Sequence, residues 1–89
     1  MKLRFCEGVK FVVEDNTGYL SSVYAGENFT VGGAGIDFLQ LIDGQRTLDD
    51  IIEELLKIYG NAEPYTLVKD MQGFAEDLAT NGLIETFRD

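Results

Sequence analysis

Few side chains in this 89-residue sequence are placed to do chemistry. Asp49, Asp50, Glu53 and Glu54 stand close together, and clustered carboxylates are what a hard divalent cation needs. Their spacing, however, puts them on the polar side of an amphipathic segment, where charged residues are normally solvated. Ser21 and Ser22 are candidate nucleophiles, but the chain has no histidine to serve as their base. Cys6 is the only cysteine and so cannot close an internal disulfide, and it reads as an idle or buried thiol, with a reactive one as the lesser alternative. Gly32, Gly33 and Gly35 precede a helical segment, as a phosphate-cradling loop would. No lysine follows them, and a plain strand-to-helix turn accounts for them. No catalytic set assembles. The expectation is a protein that is not an enzyme and that holds neither a metal nor an organic cofactor.

The composition narrows the remaining classes. Hydrophobic residues at 45% suit a folded chain, and the length suits one domain with one modest core. The expected domain is 1–89, with its core from about 9 to 84. No apolar run approaches the roughly 20 residues that span a bilayer. Met1-Lys2-Leu3-Arg4 is not followed by the apolar stretch of a signal peptide, so the expected location is the cytoplasm, away from membranes. Sixteen acidic against seven basic residues give a net charge of −9, which repels phosphate backbones.

The elements follow from periodicity and turn chemistry. Met1 to Glu7 is either a short edge strand or an arm packed on the domain. Val9 to Asp15 has the β-branched and aromatic content of a strand. Asp15-Asn16-Thr17-Gly18 signals a hairpin turn, with Gly18 free to take positive φ. Tyr19 to Tyr24 returns as a second strand. Ala25-Gly26-Glu27 turns again, and Asn28 to Val31 forms a third. A first helix is expected over Ala34 to Ile42 and a second over Leu48 to Tyr59, with Glu53 and Lys57 as an i,i+4 pair and Gly60-Asn61 as the stop. Between them, Gly44 is suited to a left-handed C′ position. Thr47 can cap the second helix, with Asp50 completing a capping box. Pro64 opens a third helix that runs to about Asn81 and ends at Gly82. Its core seam is Leu67, Met71, Phe74 and Leu78, spaced 4, 3 and 4. Leu83 to Phe87 is a fourth strand or a packed tail.

Together these make an α+β fold of winged helix-turn-helix type: a three-stranded antiparallel sheet followed by three helices. Such domains commonly bind DNA through the third helix. Here that helix sets Lys69 against Asp70, Glu76 and Asp77, so topology favours nucleic acid and electrostatics opposes it. The electrostatics outweighs, because phosphate contacts supply most non-specific affinity. A winged-helix transcriptional regulator, acting through DNA or protein contacts, stays as the alternative. The strand Asn28-Phe29-Thr30-Val31 carries no lysine or proline to block its edge. Either it is too short to be a hazard, or it receives a peptide strand.

The run Phe38-Leu39-Gln40-Leu41-Ile42-Asp43-Gly44-Gln45-Arg46-Thr47-Leu48, followed by Ile51-Ile52, resembles the signature of PqqD-like proteins. Asp70-Met71-Gln72-Gly73-Phe74 and Leu78-Ala79-Thr80-Asn81-Gly82-Leu83-Ile84 are similar to that family's ending. The chain departs from the family in leaving the third strand through Val31-Gly32, where Leu-Asn is frequent. The resemblance implies a RiPP recognition element. Such a domain is a non-catalytic peptide chaperone that binds the leader of a ribosomally made precursor peptide by strand addition. It presents that peptide to a modifying enzyme, often a radical SAM protein. Carried over by position, the peptide-binding residues are Asn28, Phe29, Thr30 and Val31 on the strand and Val68, Gln72, Ala75 and Ala79 on the helix flank. The Asp43/Arg46/Thr47 corner is expected to be structural.

Overall fold

The computed structural model describes residues 1–24, 26, 28–60 and 63–88. Ala25 and Glu27 of the expected second turn, and Asn61 of the expected helix stop, lie outside the described residues. In chain order the elements are β1 (Lys2–Phe5), β2 (Val9–Glu14), β3 (Thr17–Ser22), β4 (Asn28–Val31), α1 (Ala34–Gln40), α2 (Leu48–Ile58), α3 (Pro64–Thr80) and β5 (Ile84–Phe87). The expected meander is present as an antiparallel sheet in the order β2-β3-β4.

The hairpin turn sits one residue earlier than its glycine suggested. Asp15 and Asn16 take φ of 49° and 63°, the type I′ pattern, and Glu14 faces Thr17 across the turn. Gly18 lies inside β3 without positive φ, and its missing side chain serves packing instead. A Cβ there would stand 2.7 Å from Val31 Cγ2 and 2.9 Å from Phe11 Cε1.

The two ambiguous end segments find each other. β1 and β5 form a separate antiparallel pair, with Leu3 opposite Thr86 and Phe5 opposite Ile84. β1 is also bonded to the corner between α1 and α2. Leu3 N–H donates to the Arg46 carbonyl at 2.9 Å, and Gly44 N–H donates to the Leu3 carbonyl at 3.1 Å. The corner is held from within by Asp43. Its Oδ1 accepts from the N–H groups of Gln45 and Arg46 at 2.9 and 3.0 Å, and its Oδ2 accepts from Arg46 Nη1 at 3.0 Å. Those backbone donors hold the Asp43 carboxyl below its ordinary range. Gly44 has the expected left-handed φ, 76°, but lies inside this turn and not at the helix end. α1 stops at Gln40, short of Ile42: Leu41 N–H is shared between the Asp37 and Phe38 carbonyls, and Ile42 N–H bonds the i−3 carbonyl of Leu39.

The capping box forms as expected. Thr47 Oγ1 accepts from Asp50 N–H at 3.1 Å, and Asp50 Oδ2 accepts from Thr47 N–H at 3.0 Å. α2 buries Ile51, Ile52 and Leu55, while Asp49, Asp50 and Glu53 are exposed. Lys57 pairs with Glu54 at 3.0 Å, not with Glu53. α3 starts at Pro64 with the Glu63 carboxylate accepting from Thr66 N–H at 2.7 Å. It ends in a Schellman motif. Gly82 N–H donates to Ala79, Leu83 N–H donates to Leu78, and Gly82 has φ of 72°. The core joins Leu20 of the sheet, Phe38 and Leu39 of α1, Ile51 and Leu55 of α2, Leu67, Met71, Ala75 and Leu78 of α3, and Leu3 and Leu83 at the ends, with Phe74 of the expected seam only half-buried against it.

Candidate functional site

The site candidate is the free edge of β4, which among the described residues pairs with β3 alone. Which of its backbone groups are free follows from the hairpin. In a two-residue turn the closing pair, Glu14 and Thr17, exchanges hydrogen bonds, and bonded pairs then recur at every second residue. Thr17, Tyr19 and Ser21 therefore turn their N–H and C=O groups toward β2, while Gly18, Leu20 and Ser22 turn theirs toward β4. Bonds just past the ladder agree with this. Val23 N–H reaches the Gly8 carbonyl at 3.3 Å on the β2 side, and the Ser22 carbonyl accepts from Gly26 N–H at 3.1 Å on the other. In β4, Phe29 stands opposite Leu20 and Val31 opposite Gly18. Phe29 and Val31 thus spend their backbone groups inside the sheet. Asn28 and Thr30 direct theirs outward, along the open edge.

The side chains of β4 alternate to match. Phe29 and Val31 are half-buried and pack on the core, and Asn28 and Thr30 are exposed. Beneath the Val31 end lie Gly35 and Phe74. A Cβ added at Gly35 would be 3.2 Å from Phe74 Cζ and 3.6 Å from Val31 Cβ, so the ring packs closely on the bare backbone there. Phe74 also meets Phe38 edge to face, with centroids 5.4 Å apart. Asp70 and Asp77, one turn either side of Phe74, are exposed and give this flank of α3 a negative rim.

Of the four helix residues singled out from sequence, Gln72, Ala75 and Ala79 line a different recess. Its other walls are Leu3, Leu48, Glu76, Ile84, Glu85 and Thr86, with no β4 residue among them. Val68 belongs to the same flank by helical spacing and is half-buried against the core. The structure therefore brings Asn28, Phe29, Thr30 and Val31 together. It sets Val68, Gln72 and Ala79 on the far side of the buried Leu67, Met71 and Leu78 from Phe74, and Ala75, expected beside the seam, is itself buried. Phe74 and Gly35, which lie beside Val31, were read from sequence as a core residue and a turn glycine and not as part of a peptide site. The available signal was a glycine in the first turn of a helix, a position glycine weakens unless something packs against it.

The other candidates resolve into structural roles. Ser22 Oγ accepts from Tyr24 N–H at 3.3 Å and closes a turn. Burial, and next the charge of Glu85, pushes the Cys6 thiol up, which disfavours the thiolate. The Tyr59 hydroxyl donates to the Asp37 carboxylate and ties α2 to α1. That hydrogen bond, ahead of burial, raises the phenol's pKa. Among the described residues no group of three or more His, Cys, Asp or Glu could hold a metal ion. Among them, too, no helix is long and apolar enough to cross a membrane.

Nearly the whole chain superimposes on two solved proteins. One is TbiB1, determined in complex with the TbiA(beta) leader peptide. The TM-score is 0.82 at 20% identity, and the match covers 97% of this chain and 99% of that one. The other is a lasso peptide synthetase B1 complexed with the leader peptide, with a TM-score of 0.80 at 15% identity over 97% of this chain and 100% of that one. At such identities the likeness is one of fold. No curated protein sequence matches the chain. The model of the family described as coenzyme PQQ synthesis protein D (PqqD) matches residues 11–84, most of the sequence, and the chain belongs to that family.

Proposed function

We propose that this protein binds the leader of a ribosomally made precursor peptide as an added antiparallel strand on β4 and presents it to a peptide-modifying enzyme. A radical SAM protein is the modifying enzyme that the family suggests. The observation that carries the proposal is the open β4 edge, where Thr30 offers an unpaired N–H and C=O beside the half-buried Phe29 and Val31. Family membership and the two similarly folded proteins solved with leader peptides support it. In this reading the guest bonds Thr30 through its backbone and lays alternate side chains over Phe29, Val31 and Phe74. The domain itself performs no chemistry and binds in the cytoplasm without a cofactor. Its charge of −9 favours a leader with lysine or arginine near the bound strand. The same charge opposes the DNA-binding alternative.

The test is titration of a labelled leader from a short precursor peptide sought beside this gene, with a DNA duplex as control. The expected Kd is on the order of micromolar, about −8 kcal/mol. No binding at about a hundredfold higher concentration, or retention of DNA at physiological salt, refutes the proposal. An Ala79→Arg variant decides the extent of the site. Lost leader affinity adds the flank of Val68, Gln72, Ala75 and Ala79 to it, and unchanged affinity confines the leader to β4 and the Phe74 side.

A further inference from the structure

The sheet has a second free edge. β2 pairs with β3 alone, and nothing else among the described residues pairs with it. By the same hairpin alternation, Lys10, Val12 and Glu14 spend their backbone groups on β3, while Phe11 and Val13 direct theirs outward. Val9 also lies on the outward set, but its N–H donates to the Cys6 carbonyl at 3.3 Å, so the open stretch runs from Lys10 to Glu14. This stretch exposes apolar surface, with Val12 53% and Val13 39% exposed. Lys10 and Glu14 are exposed and make no ion pair among the described residues. Lysine commonly blocks an edge of this kind, unless its charge is met.

We propose that two copies of the chain pair edge to edge through β2, antiparallel about a two-fold axis at Val12. The sequence Lys10-Phe11-Val12-Val13-Glu14 is complementary to itself in this register alone. Lys10 and Glu14 lie equally far from Val12 on either side, so each Lys10 faces Glu14 of the second copy. Phe11 faces Val13 of the second copy, and these are the residues whose N–H and C=O groups point outward. Val12 faces its own counterpart as a non-bonded pair, the arrangement in which opposed side chains come closest. Shifting the register by one residue would oppose groups that point away from each other. Shifting it by two would break both charge pairs. An isologous two-fold contact is the commonest way for a chain to assemble. The result is a continuous sheet β4-β3-β2-β2-β3-β4, with both β4 edges left free. The mutual repulsion of two chains of charge −9 acts over a distance that is screened to about 8 Å at physiological salt, whereas the Lys10–Glu14 pairs meet in contact.

Sedimentation equilibrium tests this with chain concentrations from micromolar to about 1 mM in about 0.15 M salt. The wild type is expected to reach twice its 9.9 kDa mass at the upper end. Lys10→Glu and Glu14→Lys should each stay at single-chain mass, since each places like charges opposite one another twice. Mixed in equal amounts, the two variants should regain the double mass. In the mixed pair, both acidic side chains of the Lys10→Glu chain meet both basic side chains of the Glu14→Lys chain. Val12→Asp, which opposes two carboxylates at the axis, should also remain single. Melting curves verify that every variant folds. A wild type that stays at single-chain mass throughout, or single variants that associate as wild type does, overturns the proposal. A mixture that fails to associate overturns the register.

Discussion

Proline at two adjacent positions of β4 should have opposite effects. Proline removes one N–H and fixes φ, and strands tolerate it where that N–H faces outward. Phe29 N–H points at Leu20, which is 1% exposed. Phe29→Pro leaves the Leu20 carbonyl unpaired in a dry site, at a cost of about 1–3 kcal/mol. It also deletes a half-buried ring, worth about 2 kcal/mol or more. A total near 3–5 kcal/mol is a large part of what holds a domain of this size. It should lower Tm by roughly 12 °C or more, or abolish the transition. Thr30→Pro breaks no bond inside the sheet. Its side chain is exposed, and the extended Phe29 already has the conformation that a following proline demands. Stability should fall by no more than about 1 kcal/mol. The guest strand, however, loses the N–H it would bond, and its own carbonyl is left without a partner. That costs about 1–3 kcal/mol, or roughly 5- to 150-fold in affinity. Thermal melts and leader titrations of wild type and both variants measure this. A Thr30→Pro variant that unfolds beside a stable Phe29→Pro would show that the hydrogen-bond parity is inverted. If both variants fold and bind as tightly as wild type, strand addition on β4 is wrong.

Gly18→Ala should destabilise by about 1–3 kcal/mol, because its Cβ would lie 2.7 Å from Val31 Cγ2 and 2.9 Å from Phe11. A melting temperature equal to wild type would mean that β3 and β4 are not this close. The Asp43 carboxyl is held below its ordinary value of 3.8, chiefly by the Gln45 and Arg46 N–H groups. Its contribution to stability is therefore present above that value and lost as pH falls through the depressed one. Asp43→Asn should be less stable than wild type near neutral pH, and the difference in Tm should shrink as pH falls below 3.8 through the depressed value. Parallel curves would rule the contribution out. Neutralising Asp49 and Glu53 together should shift Tm by no more than about 4 °C, as for exposed charges generally. Protein purified without a tag should contain no stoichiometric metal by elemental analysis, and finding one would require a ligand set not recognised among these side chains.

Local chemistry was what the sequence showed well. Thr47 with Asp50, Pro64, and Gly82 before Leu83 each act through neighbours a few residues away, so their caps were readable without knowing the fold. The pairing of β1 with β5 was not readable in that way. Leu3 and Phe5 alternate as a strand should, but their partners Thr86 and Ile84 lie at the far end of the chain. Loop closure over that distance leaves no local signature. The Asp43 corner was legible as a turn. Its second role, receiving Leu3 between the Gly44 N–H and the Arg46 carbonyl, depends on β1 and so stayed hidden.

The edge itself shows where sequence reasoning loses its hold. That Asn28–Val31 is an edge strand follows from element order. Which of its residues faces outward depends on a one-residue choice two strands away. A turn centred on Asp15 and Asn16 sends Leu20 toward β4, whereas a turn one residue later, as Gly18 invites, would send Tyr19 there instead. The sequence contains both options, because Asn16 enters the left-handed region more readily than most residues other than glycine. Packing decides between them. With the turn at Asp15-Asn16, Leu20 points into the core and Tyr19 outward. Gly18 then falls where Phe11 and Val31 leave no room for a side chain. A glycine that looked like turn chemistry is there because two strands and a helix converge on it. The same convergence turns Thr30 toward the open edge.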